Sequence, residues 1–234
     1  MIFGPTKKKA NNNITVKIEG VPIEIVHHTK FLGIILDDKL GWKEHITYIS
    51  KQISKSIGIL SRARPLLNAK ILRQLYYSFL CPYINYCIII WGQAPASTLW
   101  LIFKLQKRAI RIITNTRQRD SSQGSFRKLR ILRLPELHTY AIMIFMFKFK
   151  NGQLPSTFNN FYSENQVFHR YPTRGAKNLR TPRVRTKIAT SFIKKTGVDL
   201  WNALSPKILN CHRIGVFKRE LTTLLMENYT SVTT

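Results

Sequence analysis

The chain has 234 residues, 38 Lys and Arg against 11 Asp and Glu, a formal net charge of +27 and 44% hydrophobic residues. That hydrophobic share excludes wholesale disorder, while so large a positive excess repels itself in a compact state and implies a polyanionic partner, nucleic acid first and an anionic membrane surface second. Three cysteines, Cys81, Cys87 and Cys211, with no C-x-x-C pair, exclude a disulfide framework and imply an intracellular, reduced protein of nucleus or cytoplasm.

Met1 and Phe3 belong to an apolar start that Gly4-Pro5 ends, and the lysines at 7–9 leave no signal peptide. Positions 7–9 and 11–13 form a polar loop. Ile14, Val16 and Ile18 alternate with Thr15 and Lys17, which predicts a half-buried strand. Glu19-Gly20 makes a turn, and residues 21–26 return as a second strand, with Pro22 pointing to an edge. Residues 31–36, Phe-Leu-Gly-Ile-Ile-Leu, read as a third, buried strand in which Gly33 marks a bulge or a close backbone approach. Asp37-Asp38-Lys39 ends it and Gly41 breaks the chain again. Three such strands form a small antiparallel unit at the limit of independent stability, the edge of something larger.

After Trp42 the hydrophobic period becomes helical. Ile46, Ile49, Ile53, Ile57 and Leu60 recur at three- and four-residue spacing, with Lys51, Lys55 and Arg62 elsewhere on the wheel. Asn68 is an N-cap for a helix over 69–79, which Pro82 ends or kinks. Residues 83–91 are apolar and aromatic all round and are expected to be buried. The clearest helix is 97–114. Leu99, Ile102, Leu105, Ala109, Ile110, Ile112 and Ile113 fall on one side, and Lys104, Lys107, Arg108 and Arg111 fall on the other. Pro135 opens a strongly apolar helix over 136–150 that Asn151-Gly152 stops.

The longest apolar runs, 87–91 and 141–147, are far short of the roughly 20 residues that span a bilayer, so no transmembrane segment is expected. From 155 to 190 Pro, Asn, Ser and Arg dominate, and the last stretch carries one or two short helices around Phe192, Val198, Trp201, Phe217 and Leu221. The expected fold is therefore mostly α. A small antiparallel β-hairpin or three-stranded unit over 1–41 is followed by a helical bundle over 42–154, a basic linker or arm over 155–190 and a small helical tail over 191–234.

Asp37-Asp38 matches the paired carboxylates that hold two metal ions in polymerases, but it follows Leu36 and leads into a helix, so it reads as a strand-ending turn. Neither Cys211-His212 nor Cys81 and Cys87 have zinc spacing, and the latter two read as small core residues. No phosphate-cradling Gly-rich loop, metal site or small-molecule site is expected. The binding candidate is the stripe Lys104, Lys107, Arg108 and Arg111, four cations placed to follow a phosphate backbone. A second is the arm from Arg170 to Lys195, with Arg180, Arg183 and Arg185 contacting phosphates without sequence readout. Tyr162 and Tyr171 suit stacking on bases and ordinary packing alike. The same basic helix, with Trp100 and Phe103 nearby, also suits a peripheral membrane protein.

Several segments, in order, resemble the C-terminal region of reverse transcriptases from non-LTR (LINE-type) retrotransposons. Phe31-Leu32-Gly33-Ile34-Ile35-Leu36-Asp37, then Leu40-x-Trp42-x-x-His45-Ile46, is similar to the family's last palm motif, which implies a primer grip at Phe31, Leu32 and Gly33. Leu80-Cys81-Pro82-Tyr83-Ile84-Asn85-Tyr86-Cys87 with Trp91-Gly92, and Leu105-Gln106-Lys107-Arg108-Ala109-Ile110-Arg111-Ile112-Ile113, resemble its thumb. Arg185-Thr186, Leu200-Trp201-Asn202-Ala203-Leu204-Ser205-Pro206-Lys207-Ile208 and Phe217-Lys218-Arg219 resemble its tail. The family's catalytic aromatic-Ala-Asp-Asp hairpin has no counterpart in these residues.

The resemblance thus implies a truncated piece of an RNA-directed DNA polymerase that holds the RNA–DNA template–primer and is inactive by itself. Mg2+ would belong to the missing palm, and that palm and the fingers would be its protein partners. The alternative is a freestanding basic module that binds RNA, DNA or an acidic protein without polymerase function.

Overall fold

A computed structural model describes residues 1, 3, 15–117, 119–167 and 175–227. The loop expected at 7–9 and 11–13, Ile14 of the first strand, and Arg170 and Tyr171 of the arm lie outside the described residues. The chain is mostly α, as its period predicts, with two small antiparallel hairpins near the start. It divides into two compact units, Met1–Cys87 with Ala94–Asn115, and Ile88–Gln93 with Thr116–Thr234.

In the first unit β1 (Lys17–Ile18) pairs with β2 (Val21–Pro22) around Glu19 and Gly20, and β3 (His28–Phe31) pairs with β4 (Ile34–Asp37). Among the described residues the strands form two separate two-stranded sheets rather than a three-stranded unit, and residues 31–36 are not one buried strand. Leu32 and Gly33 interrupt them with φ of 45° and 82°, the positive pair that a two-residue type I′ turn requires. Phe31 then lies opposite Ile34, Lys30 opposite Ile35 and Thr29 opposite Leu36. Turn geometry overrode the apolar run: a glycine at the second turn position lets the chain reverse where a continuous strand was expected. Val16 and Ile18 are exposed, so the first strand is not half-buried either.

Helix α1 (Lys43–Ala63) begins where the Asp37 carboxylate gathers three backbone donors. One oxygen accepts from Lys39 N at 3.1 Å and Gly41 N at 2.9 Å, and the other accepts from Trp42 N at 2.8 Å. Its inward stripe is the one its period predicts: Ile46, Ile49, Ile53, Ile57 and Leu60 are all buried. Asn68 caps α2 (Ala69–Phe79) by accepting from Ile71 N at 3.0 Å. Pro82 occupies the first turn of α3 (Cys81–Asn85), and Cys87, at φ 51°, separates it from α4 (Ile88–Trp91). Two short helices therefore replace the uniformly buried run expected over 83–91, and Tyr83, Tyr86 and Ile90 are exposed.

Helix α5 (Ala96–Thr114) completes the first unit, packing along α1 and touching α2. Its buried residues include Gln106 beside Ile102, Ala109, Ile110 and Ile113. The Gln106 amide donates to the buried Tyr76 hydroxyl at 3.0 Å, so a polar residue is tolerated on the inner face because its partner is there.

The second unit contains α4, α6 (Gln123–Leu129), α7 (Leu134–Lys150), α8 (Lys187–Ser191), α9 (Ile193–Asn202), α10 (Pro206–Leu209) and α11 (Ile214–Glu227). Among the described residues the expected tail thus holds three helices, α9, α10 and α11, where one or two were expected, and α8 begins within the expected arm; Phe192 and Ser205-Pro206 each restart a helix. Its core joins Met143, Met146 and Phe147 of α7 to Val198 and Trp201 of α9 and Phe217 and Leu221 of α11. The rings of Phe147 and Phe217 lie 4.5 Å apart. Tyr162 and Leu179, from the stretch between α7 and α8, also enter this core. That stretch is tied by an antiparallel bridge between Glu164 and Leu179, and the Asn202 side chain takes both the N–H and the C=O of Leu179, at 3.0 and 2.8 Å. Among the described residues no helix is long and apolar enough to cross a membrane.

Candidate nucleic-acid interface

Helix α5 carries no Asp or Glu. With its apolar side held against α1, its remaining face carries Lys104 and Arg108 exposed and Lys107 and Arg111 half-buried. All four cations predicted for this face are brought together on it, at the three- and four-residue spacing that keeps one side of a helix. Arg111 lies in the last turn, where a cation is also favoured by the helix dipole.

The stripe has an aromatic member that charge alone did not single out. Trp100 is 53% exposed, and the Lys107 ammonium sits 3.9 Å above its ring and 4.6 Å from the ring of Phe103. Trp100 and Phe103 meet edge to face at 5.8 Å. Partial burial, with the neighbouring Arg111 charge, draws the Lys107 pKa below the ordinary lysine value. The signal was legible in the spacing: Trp100 stands four residues before Lys104 and seven before Lys107.

The primer-grip-like residues occupy the β3–β4 turn. Phe31 and Leu32 are exposed, and Gly33 needs its positive φ. The ring of Tyr86 would meet a Cβ at Gly33 at 3.4 Å, and its hydroxyl donates to Leu32 O at 2.5 Å. The neighbour of Gly33 is thus a side chain from 53 residues away, where a bulge or a close backbone approach was expected. Nothing local in the sequence marks Tyr86 for that role. Both β4 and α5 pack on α1, which therefore holds the hairpin and the cationic helix.

Arg180, Arg183 and Arg185 are exposed residues of the second unit. Arg180 and Arg183 line a cleft of about 710 Å³ with Asn165, Asn178, Thr181 and Asn202, and Arg185 follows two residues on. The three arginines and the α5 stripe belong to different units. Tyr162 is a core residue rather than a stacking platform. It is buried, its hydroxyl donates to Ile193 O at 2.9 Å, and burial raises its pKa.

The paired aspartates do not fit a magnesium site. Asp37 is engaged by three backbone N–H groups, and Asp38 meets His27 Nδ1 at 2.8 Å, the contact that lowers the Asp38 pKa. Among the described residues no three His, Cys, Asp or Glu side chains gather to hold a metal. Cys81 is buried with its thiol pushed up to about 12, the inert state of a core cysteine. Cys87 is half-buried, and burial raises its pKa too.

Two known proteins are similar to part of the chain. Over 104 residues, 42% of the chain, it is 31% identical to the probable RNA-directed DNA polymerase from transposon X-element of Drosophila melanogaster. Over 103 residues, 43% of the chain, it is 30% identical to the probable RNA-directed DNA polymerase from transposon BS of the same species. In each case the match spans 11% of the relative's length. No family model matches the chain, and no solved structure matches it. A part of this chain is therefore related to the RNA-directed DNA polymerases of transposons.

Proposed function

We propose, from a chain partly related to transposon RNA-directed DNA polymerases, that these residues form the region of such an enzyme that grips nucleic acid. In this reading 1–41 is the last piece of palm and 42–154 is thumb-like. Residues 155–190 form a basic arm, and 191–234 a helical tail. The ligand is the RNA–DNA template–primer, and the chain by itself incorporates no nucleotide.

The observation that carries the reading is the outward face of α5, where Lys104, Lys107, Arg108 and Arg111 form one cationic line on a helix without a carboxylate. On a chain of net charge +27, such a line is suited to neutralise consecutive phosphates. The exposed turn at Phe31, Leu32 and Gly33 supports the assignment of a primer contact, and Arg180, Arg183 and Arg185 supply further phosphate contacts.

The test is a salt titration of binding to an RNA–DNA hybrid. A variant with Lys104, Lys107, Arg108 and Arg111 all changed to Ala is expected to lose affinity, with the slope of log affinity on log salt falling by about 0.9 per lost phosphate contact. An unchanged slope and affinity in that variant would remove α5 from the interface and with it the basis of the reading.

A further inference from the structure

The chain has four tryptophans, and three of them, Trp42, Trp91 and Trp201, are buried at 2%, 0% and 7% exposure. The fourth, Trp100, is 53% exposed on the cationic face of α5, next to an exposed Leu101. An indole is the side chain with most to gain from leaving water, and the fold finds room for the other three. From the charged line, the Lys107 ammonium rests 3.9 Å above the Trp100 ring. That ammonium rides on a flexible four-carbon stem, so a phosphate can draw it away without moving the helix.

We propose that Trp100 is a base-stacking platform that takes an unpaired base of a single nucleic-acid strand, whose phosphates run along Lys104, Lys107, Arg108 and Arg111. The inference rests on the nucleic-acid reading of α5 and narrows its ligand there to an unpaired strand, the single-stranded template beyond the paired part of the template–primer. Trp100 and Arg111 are eleven residues apart on one helix, about 16 Å at roughly 1.5 Å per residue, the reach of a short run of nucleotides. Within a duplex the base faces stack on one another, so only an unpaired base offers a face to an indole. Cations that follow a backbone and an aromatic ring that accepts any base are the two parts of a sequence-tolerant single-strand site. On binding, the Lys107 ammonium passes from the ring to a phosphate, and the base takes its place.

Because the other three indoles are buried, a change in tryptophan emission on adding a ligand reports mainly on Trp100. Titration with poly(U) should quench that emission, and Trp100→Leu should bind poly(U) about tenfold more weakly, as loss of one stacked base predicts. Inorganic polyphosphate should bind wild type and Trp100→Leu alike. Equal poly(U) affinity in the two proteins, with the quadruple alanine variant weakened, overturns the stacking role and leaves the nucleic-acid reading standing. Undiminished binding by the quadruple variant overturns both. A blue shift with vesicles containing phosphatidylserine, without a response to poly(U), also overturns both and assigns the face to an anionic membrane. Circular dichroism checks that each variant is folded.

Discussion

The Tyr86 hydroxyl donates to the carbonyl of Leu32 across 54 residues of sequence at 2.5 Å, and this bond holds the exposed tip of the β3–β4 hairpin to the helical body. A two-stranded hairpin is marginal alone, so its position depends on such attachments, here Tyr86 at the tip and β4 against α1.

Tyr86→Phe removes that donor, together with the hydroxyl's contact with Cys87, and keeps the ring. The cost is expected at about 0.5–1.5 kcal/mol. It should appear as faster hydrogen exchange of the amides of β3 and β4, with the interior of α1 unchanged. Leu32→Asn should act the other way, because a bulky residue at φ 45° is strained where Asn is tolerated, with a gain of up to about 1 kcal/mol. Unaltered exchange in both variants would show that Tyr86 does not hold the tip.

Two glycines give opposite expectations. A Cβ at Gly92 would lie 2.4 Å from Ile88 O and 2.6 Å from the His138 ring, so Gly92→Ala must displace helix backbone or α7. Destabilisation of the second unit by about 1–3 kcal/mol is expected from overpacking. Gly58 lies inside α1 with nothing within 4 Å of a Cβ, and Gly58→Ala should stabilise by about 0.5–1 kcal/mol through helix propensity. Urea midpoints of the two variants, compared with wild type, measure both effects.

Asp37→Ala strips three backbone donors at the start of α1 of their acceptor, whereas Asp38→Ala loses only an exposed contact with His27. The first should cost about 1–2 kcal/mol, as loss of a helix cap does, and the second under about 0.5 kcal/mol. If Mg2+ raised the melting temperature of wild type, and either substitution abolished that effect, the pair would be a metal site after all.

Burial holds the imidazoles of His45 and His138 below the ordinary histidine range, and His45 Nδ1 accepts from Ile35 N at 3.4 Å. Their folded pKa values thus lie under the unfolded value of about 6.5, and the unfolded chain binds more protons as the pH falls through it. Stability should be full above that value and decline on acidification toward the folded values. A urea midpoint lower at about pH 5.5 than at about pH 7.5 is expected, with a smaller drop in His138→Gln. Equal midpoints at the two pH values would mean that neither ring resists protonation in the fold.

Much of this molecule was written locally. The three- and four-residue recurrence of isoleucine fixed α1 and its buried face, Asn68 marked the start of α2, and the cationic side of α5 followed from its wheel. These are properties of residues a few positions apart, which helical geometry converts directly into faces. The reading of Asp37 as a turn residue was legible for the same reason: its three partners lie within five positions.

What depended on distant residues was not legible. That residues 31–36 fold back at Leu32 and Gly33 depends on which backbone groups pair, and the tip's seat depends on Tyr86. Gln106 looked polar on the wheel and is buried because Tyr76, thirty residues earlier, meets its amide. Tyr162 suited stacking on a base and ordinary packing alike in the sequence and fills the core with residues of α7 and α9, and Asn202 reaches back 23 positions to hold Leu179. The amino-acid order by itself determined the long helices α1, α2, α5 and α7, the inward face of α1, the cationic face of α5 and the charge. Only the tertiary structure decided which aromatic and polar side chains those faces would cover, because burial belongs to a partner surface that no local period encodes.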